Sequence, residues 1–281
     1  MLQSRRRTSV PLASLDQRWT APSLAPVPLV REVLRRFVAV QGVDRGVAIG
    51  AHAFTALLPL LMAYGALRPI GSPHTLADSM VRRFHLSGES AQAMRQALEP
   101  TTTAGSSVSV VGGVLLLIAA LSLTRTVQRL HESSFGLAPR GFRGSAAGLA
   151  WLLVLLVPAT IGPVINTISH DVLRVTLTLA LSVSFWTVSP MVLTGRRISA
   201  REALPAGLIA ALAMTGLSVA SAVWLPHSVA SSAAQYGVIG VAFAFVSWLV
   251  GAGLTLAASA VAGAVLSEAM SARWPPHIVD A

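Results

Sequence analysis

The chain has no cysteine, which excludes disulfides, thiolate metal sites and cysteine nucleophiles while leaving the redox compartment unmarked. It also has no lysine. All 21 basic residues are arginine, a bias of composition, because lysine would serve equally well at most positions that flank a membrane. Charge of either sign is scarce: 11% of the 281 residues are charged, against about 25% in a soluble domain. With 53% hydrophobic residues and a mean hydropathy of +0.67, too little polar material remains to cover a water-facing globule. Catalytic signatures are missing too. There is no Gly-x-Ser-x-Gly, no Walker loop, no GxGxxG, and the seven histidines are scattered without a His-x-x-x-His or paired acidic motif. The sequence therefore predicts no enzyme, no metal and no cofactor.

What is present is a series of apolar blocks near twenty residues long, the length a helix needs to cross about 30 Å of hydrocarbon. The predicted fold is all-α, a polytopic membrane protein with about six spans, near residues 47–67, 108–123, 145–165, 172–193, 204–224 and 237–268. Prolines punctuate them: Pro59 kinks the first, Pro158 and Pro163 break the third, and Pro190 lies near the end of the fourth. The sixth stretch, roughly 48 Å long at 1.5 Å per residue, exceeds an upright crossing and must tilt or project.

Between and around the spans, polar segments divide the domain. Residues 1–28, rich in Arg, Ser and Pro, read as a disordered cytoplasmic tail, and 269–281 as a second tail around the membrane domain 29–268. Residues 29–41 place Val30, Val33, Leu34, Phe37 and Val38 at helical spacing, with Arg31, Glu32, Arg35 and Arg36 opposite. That pattern predicts an amphipathic helix on an anionic membrane face. The long external connection 68–106 predicts two further short amphipathic helices on the outer surface, one opened by Thr75 and Asp78, the other carrying Ala91, Met94 and Leu98.

The +10 net charge sits at the flanks of hydrophobic blocks, so it speaks for membrane topology and against nucleic acid. With both termini inside, sixteen arginines fall on the inner side and five, Arg68, Arg82, Arg83, Arg95 and Arg174, on the outer. The positive-inside rule thus predicts cytoplasmic termini. Membrane lipids and an anionic or amphipathic small molecule are the expected partners, and a homo-oligomer is compatible with the sequence.

Four places could carry chemistry. The stretch Asn166-Thr-Ile-Ser-His-Asp-Val-Leu-Arg174 sets Ser169, His170 and Asp171 side by side, but sequence neighbours cannot form a catalytic relay. It reads better as a hairpin turn, with Asp171 capping the fourth span and Arg174 neutralising it from three residues on. His52, about one turn inside the first span, is a candidate coupling or substrate group, set against an ordinary interhelical hydrogen bond. Arg125, Gln128, Arg129 and Glu132 share one face at the inner end of the second span, where they could bind a lipid phosphate or anionic substrate, or simply anchor the helix. Tyr236 precedes Gly237 and Gly240, which favour close helix approach; with Trp151 and Trp224, Tyr236 suits an interfacial belt.

Three stretches together resemble the BrkB/YihY family of bacterial inner-membrane proteins, once labelled ribonuclease BN. They are AHAFTALLPLLMAYGAL around Pro59, VQRLHESSFGLAPRGFR with Glu132, Phe135, Gly136, Arg140 and Arg143, and QYGVIGVAFAFVSWLVGAGL with Tyr236, Gly237 and Trp248. The chain departs from the family pattern at Ala56, at Glu132 and at Ser259-Ala260-Val261, where a serine, an asparagine and a Gly-Ala-Glu are usual. The resemblance implies an integral inner-membrane protein of the cell envelope. The ribonuclease label finds no support in these residues, since no acid/base or metal constellation accompanies it. The leading expectation is a six-helix protein that handles a lipid or amphipathic anion without ATP; a secondary transporter of a small solute and a noncatalytic scaffold are the alternatives.

Overall fold

A proline at the first helical position sacrifices no hydrogen bond, and helix α1 (Pro26–Ala39) opens on Pro26, inside the stretch read as tail. The structure, a computed structural model, describes residues 25–67, 77–78, 81, 87–98 and 106–273. After α1 come α2 (Gly42–Leu67), α3 (Gly88–Leu98), α4 (Ser106–Ser134), a short 3-10 turn (Gly141–Gly144), α5 (Ser145–Ile165), α6 (Asp171–Leu193) and α7 (Ala200–Arg273). Among the described residues there is no strand. Among the described residues, four helices are long and apolar enough to cross a membrane by length and composition: α4, α5, α6 and α7.

The α5 helix runs unbroken through Pro158 and Pro163, and α6 through Pro190, so the predicted breaks leave both helices intact. The backbone of α2 is likewise helical across position 59, while the Pro59 side chain lies outside the described residues. Thr75, Leu98 as a side chain, and the tail residues 1–24 and 274–281 also lie outside them.

Helix α7 differs most from expectation. It continues through residues 225–236, read as a loop, and reaches Arg273, past the predicted tail boundary. Its opening carries reciprocal capping: the Ser199 N–H donates to Glu202 Oε2 at 2.8 Å, and the Glu202 N–H lies 3.4 Å from Ser199 Oγ. At Gly237 the backbone takes φ +58° and ψ −135°, a conformation open to glycine. The chain reverses there into two antiparallel arms, 200–236 and 238–273. Three contacts fix their register moving outward from the bend: Gly240 against the Ser232 carbonyl, the Trp248 indole N–H donating to Ser221 Oγ at 2.7 Å, and Gly263 against Ala206.

The second arm is the bundle's central post. Helix α2 packs against it so closely that a Cβ on Gly50 would stand 2.6 Å from the Val250 Cα, which puts the two backbones in direct contact. Helix α6 packs on the first arm, where Gly207 meets the backbone of Thr187, and α5 packs on α6. Trp151, expected in an interfacial belt, is instead buried and donates to Ser189 Oγ at 3.0 Å between α5 and α6. An indole N–H needs such a partner once it leaves water. Trp224 and Tyr236 do lie exposed.

The described part of the 68–106 segment also finds a different surface. Ala91 and Met94 of α3, with Val81, are buried against Leu225, Val229, Ala233 and Val241 on both sides of the bend. Their apolar face closes the hairpin tip and is therefore committed to protein. Asp78 accepts from Arg95 Nε at 3.1 Å across the same segment.

Candidate functional site

The end of the bundle opposite the Gly237 bend gathers the starts of α2, α5 and α7 with the ends of α4 and α6. On α4, Val127 and Leu130 turn into a core shared with Ile49, Trp151, Leu193 and Leu256. That rotation leaves Arg125, Gln128, Arg129 and Glu132 on the adjoining face, as their three- and four-residue spacing requires. They line a cavity of about 340 Å³ together with Arg45, Ser133, Leu137, Pro139 and Gly141.

One helix end contributes to this cavity's lining and a second holds its carboxylate. At α4 the Leu137 N–H donates to the Glu132 carbonyl at 2.7 Å and the Gly136 N–H to the Ser133 carbonyl at 3.2 Å, the paired closure of a Schellman motif. The same pairing ends α6, with the Arg196 N–H on the Met191 carbonyl at 2.7 Å and the Gly195 N–H on Val192 at 2.9 Å. The second turn aims Arg197 back toward α4. Arg197 donates to the Thr194 and Ala138 carbonyls at 3.1 and 2.9 Å, and to Glu132 Oε1 at 3.0 Å.

Glu132 is 2% exposed, and the same oxygen accepts from Gln128 Nε2 at 2.9 Å. A buried carboxylate needs this compensation. The Glu132 charge is thus met by Arg197, which does not line the cavity. Arg45, whose Nε donates to the Val40 carbonyl at 2.6 Å at the junction of α1 and α2, enters no ion pair among the described residues, and neither does Arg129. Burial lowers the Arg45 pKa from its usual range, and the nearby positive charge of Arg129 lowers it further. Like charges therefore converge on one space.

The structure brings together three of the five candidate binding residues, Arg125, Arg129 and Glu132. His52 is half-buried on α2 and Tyr236 is 67% exposed beside the bend; neither lines the cavity. Thr55, the polar neighbour of His52, donates to the Ala51 carbonyl at 2.9 Å within its own helix. Sequence reasoning missed Arg45 and Arg197. The signal for Arg197 is the Gly195-Arg196-Arg197 run directly after an apolar helix, and nothing local marks Arg45. Serine 169 and His170 stay in the turn between α5 and α6. His170 occupies the N-cap position with no capping side-chain bond, and Asp171 is the first helical residue, one place later than predicted. It pairs there with Arg174.

Among the described residues, no group of three or more His, Asp and Glu could hold a metal ion. The chain matches no protein-family model, no curated protein and no solved structure.

Proposed function

We propose that this is an integral protein of the bacterial inner membrane, of the kind the BrkB/YihY resemblance implies, and that its arginine cavity binds the anionic group of a lipid or amphipathic molecule. The observation that carries this reading is one: Arg45, Arg125 and Arg129 share a cavity whose single lining carboxylate, Glu132, is held by Arg197. The like charges of Arg45 and Arg129 repel across the cavity, and a phosphate or carboxylate relieves that repulsion with charge-assisted hydrogen bonds. The role is binding and passage rather than chemistry, without ATP.

Six crossings follow if α2, α4, α5, α6 and the two arms of α7 each traverse the bilayer, the arms being roughly 54 Å long at 1.5 Å per residue. The cavity then lies at the end that holds both termini, which is the cytoplasmic end by the distribution of arginine.

Reconstitution in vesicles containing fluorescent phosphatidylglycerol tests the reading. Lipid transfer or scrambling is expected from the intact chain and from His52→Ala, and to be lost in Arg125→Ala/Arg129→Ala. Equal activity in all three proteins, or dependence on His52 alone, refutes it; the second outcome favours a solute transporter coupled through that histidine.

A further inference from the structure

Helix α1 carries more apolar surface than its packing uses. Leu29, Val33 and Phe37 form one seam, buried against Val40, Val261 and Val265. Around the helix at 100° per residue, the apolar arc continues past that seam through Val30, Leu34, Val27 and Val38, which are 58%, 61%, 78% and 76% exposed. Beyond Val38 the arc ends at Arg31, then Arg35. The single acid of the helix, Glu32, is turned away. It accepts from Arg35 at 2.7 Å and from Arg36 at 2.8 Å, and Arg36 in turn is fully buried against Glu268.

Two hollows follow this open stripe. In one, of about 300 Å³, Val30 and Leu34 face Ile209, Ala262 and Leu266 from both arms of α7. In the other, of about 470 Å³, the same Val30 and Leu34 join Pro26, Val27 and Arg31. Sharing two residues, the hollows make one trough. Its far wall belongs to a helix long and apolar enough to cross a membrane, and its near rim carries a cation with no carboxylate lining either hollow.

We propose that this trough is a binding site for one anionic phospholipid of the surrounding bilayer, with an acyl chain between α1 and α7 and the phosphate at Arg31. It is separate from the arginine cavity, sharing no lining residue with it. The wall of α7 argues for lipid as occupant, because a spanning helix is flanked by hydrocarbon. The rim argues for an anionic headgroup, since a basic residue beside an acidic lipid surface gains attraction that a zwitterionic one does not supply.

The absence of cysteine makes the test direct, because Val30→Cys creates one labelling position in the full chain. The labelled protein, carrying Arg125→Ala/Arg129→Ala to silence the cavity, is placed in nanodiscs containing phosphatidylglycerol and phosphatidylcholine at equal mole fraction. In paired samples only one lipid carries bromines on its acyl chains. Brominated phosphatidylglycerol is expected to quench the label at least about twofold more than brominated phosphatidylcholine, and Arg31→Ala to equalise the two. Because Val30 and Arg31 are exposed, neither change touches the core. Equal quenching before Arg31 is removed overturns the headgroup assignment. Absence of quenching by both lipids overturns the site, and if it depends on protein concentration the trough is a contact between copies.

Discussion

Two sets of arginines sit at the same end of the bundle and are treated in opposite ways. Arg36, fully buried, is matched by Glu32 and Glu268, with Arg36 Nη1 donating to Glu268 Oε1 at 2.7 Å. It fastens α1 to the end of α7. Around the cavity, Arg45, Arg125 and Arg129 face a single carboxylate that Arg197 already holds. Burial with matched charge is the signature of a structural joint, whereas Arg45 and Arg129, in no ion pair among the described residues and partly open to a cavity, fit the proposal of a ligand that brings an opposite charge. The contrast assigns the two sets different measurements: stability for the first, affinity for the second.

The largest effect is expected at the joint. Arg36→Ala strands Glu268, and we expect a loss of about 2–3 kcal/mol in thermal or denaturant unfolding, toward the lower side of buried pairs because Glu268 keeps some solvent. Arg36→Leu/Glu268→Leu should recover most of that loss; a double variant as unstable as the single one removes the ion-pair account. Next, Arg125→Ala/Arg129→Ala should weaken binding of a phosphatidylglycerol headgroup about tenfold or more while leaving the unfolding midpoint nearly unchanged, as read by binding isotherms and melting of the same samples. If stability falls and affinity does not, the cavity belongs with the joint.

A subtler change sharpens the same line. Glu132→Gln keeps the hydrogen-bond shape but removes the negative charge of the one carboxylate among the described lining residues, so headgroup affinity should rise about threefold. A decrease would mean that the carboxylate itself positions the ligand. The joint, for its part, should respond to acid. The Glu32 pKa is held below its ordinary value by the Arg35 hydrogen bond, against an opposing effect of burial, with Arg36 adding to the lowering. A lowered carboxylate pKa contributes stability that is complete above the ordinary glutamate range and is lost as pH falls through the lowered value. A spin label on α1 should therefore gain mobility below that range and stay ordered above it. Smallest of all, Arg174→Ala removes an exposed pair with Asp171 and should cost less than about 0.5 kcal/mol; a larger loss would give the α5–α6 turn a structural weight it lacks here.

Much of this arrangement is legible in the sequence where the determinants are local. The ends of α5 and α6 follow the predicted blocks within a residue because polar turns bound them. Arg125, Arg129 and Glu132 are legible as a set because helical spacing alone puts them together. Residues 225–236 were misread since Pro226, His227, Ser228, Ser231, Ser232 and Gln235 dilute the apolar signal, although Leu225, Val229 and Ala233 recur every four residues on the buried face. Arg45, Arg197 and the burial of Arg36 depend on partners from 65 to 232 residues away or on another helix's end, as in Arg197 with Glu132 and Arg36 with Glu268. No local pattern encodes such meetings. The apolar face of α3 predicts a membrane surface because such a face does not name its partner, and α7 competes for it successfully.

The bend at Gly237 bears on how the chain assembles. Contacts such as Trp248 with Ser221 close over 27 residues, so the loop-closure entropy of pairing the two arms is modest and grows only slowly outward from the bend. The arms can zip from the tip as a local unit before α2 docks on the second arm. In a translocating chain that order has a physical advantage. The Trp248 indole N–H, costly alone in hydrocarbon, enters already bonded to Ser221 Oγ, which itself donates to the Leu217 carbonyl at 2.6 Å.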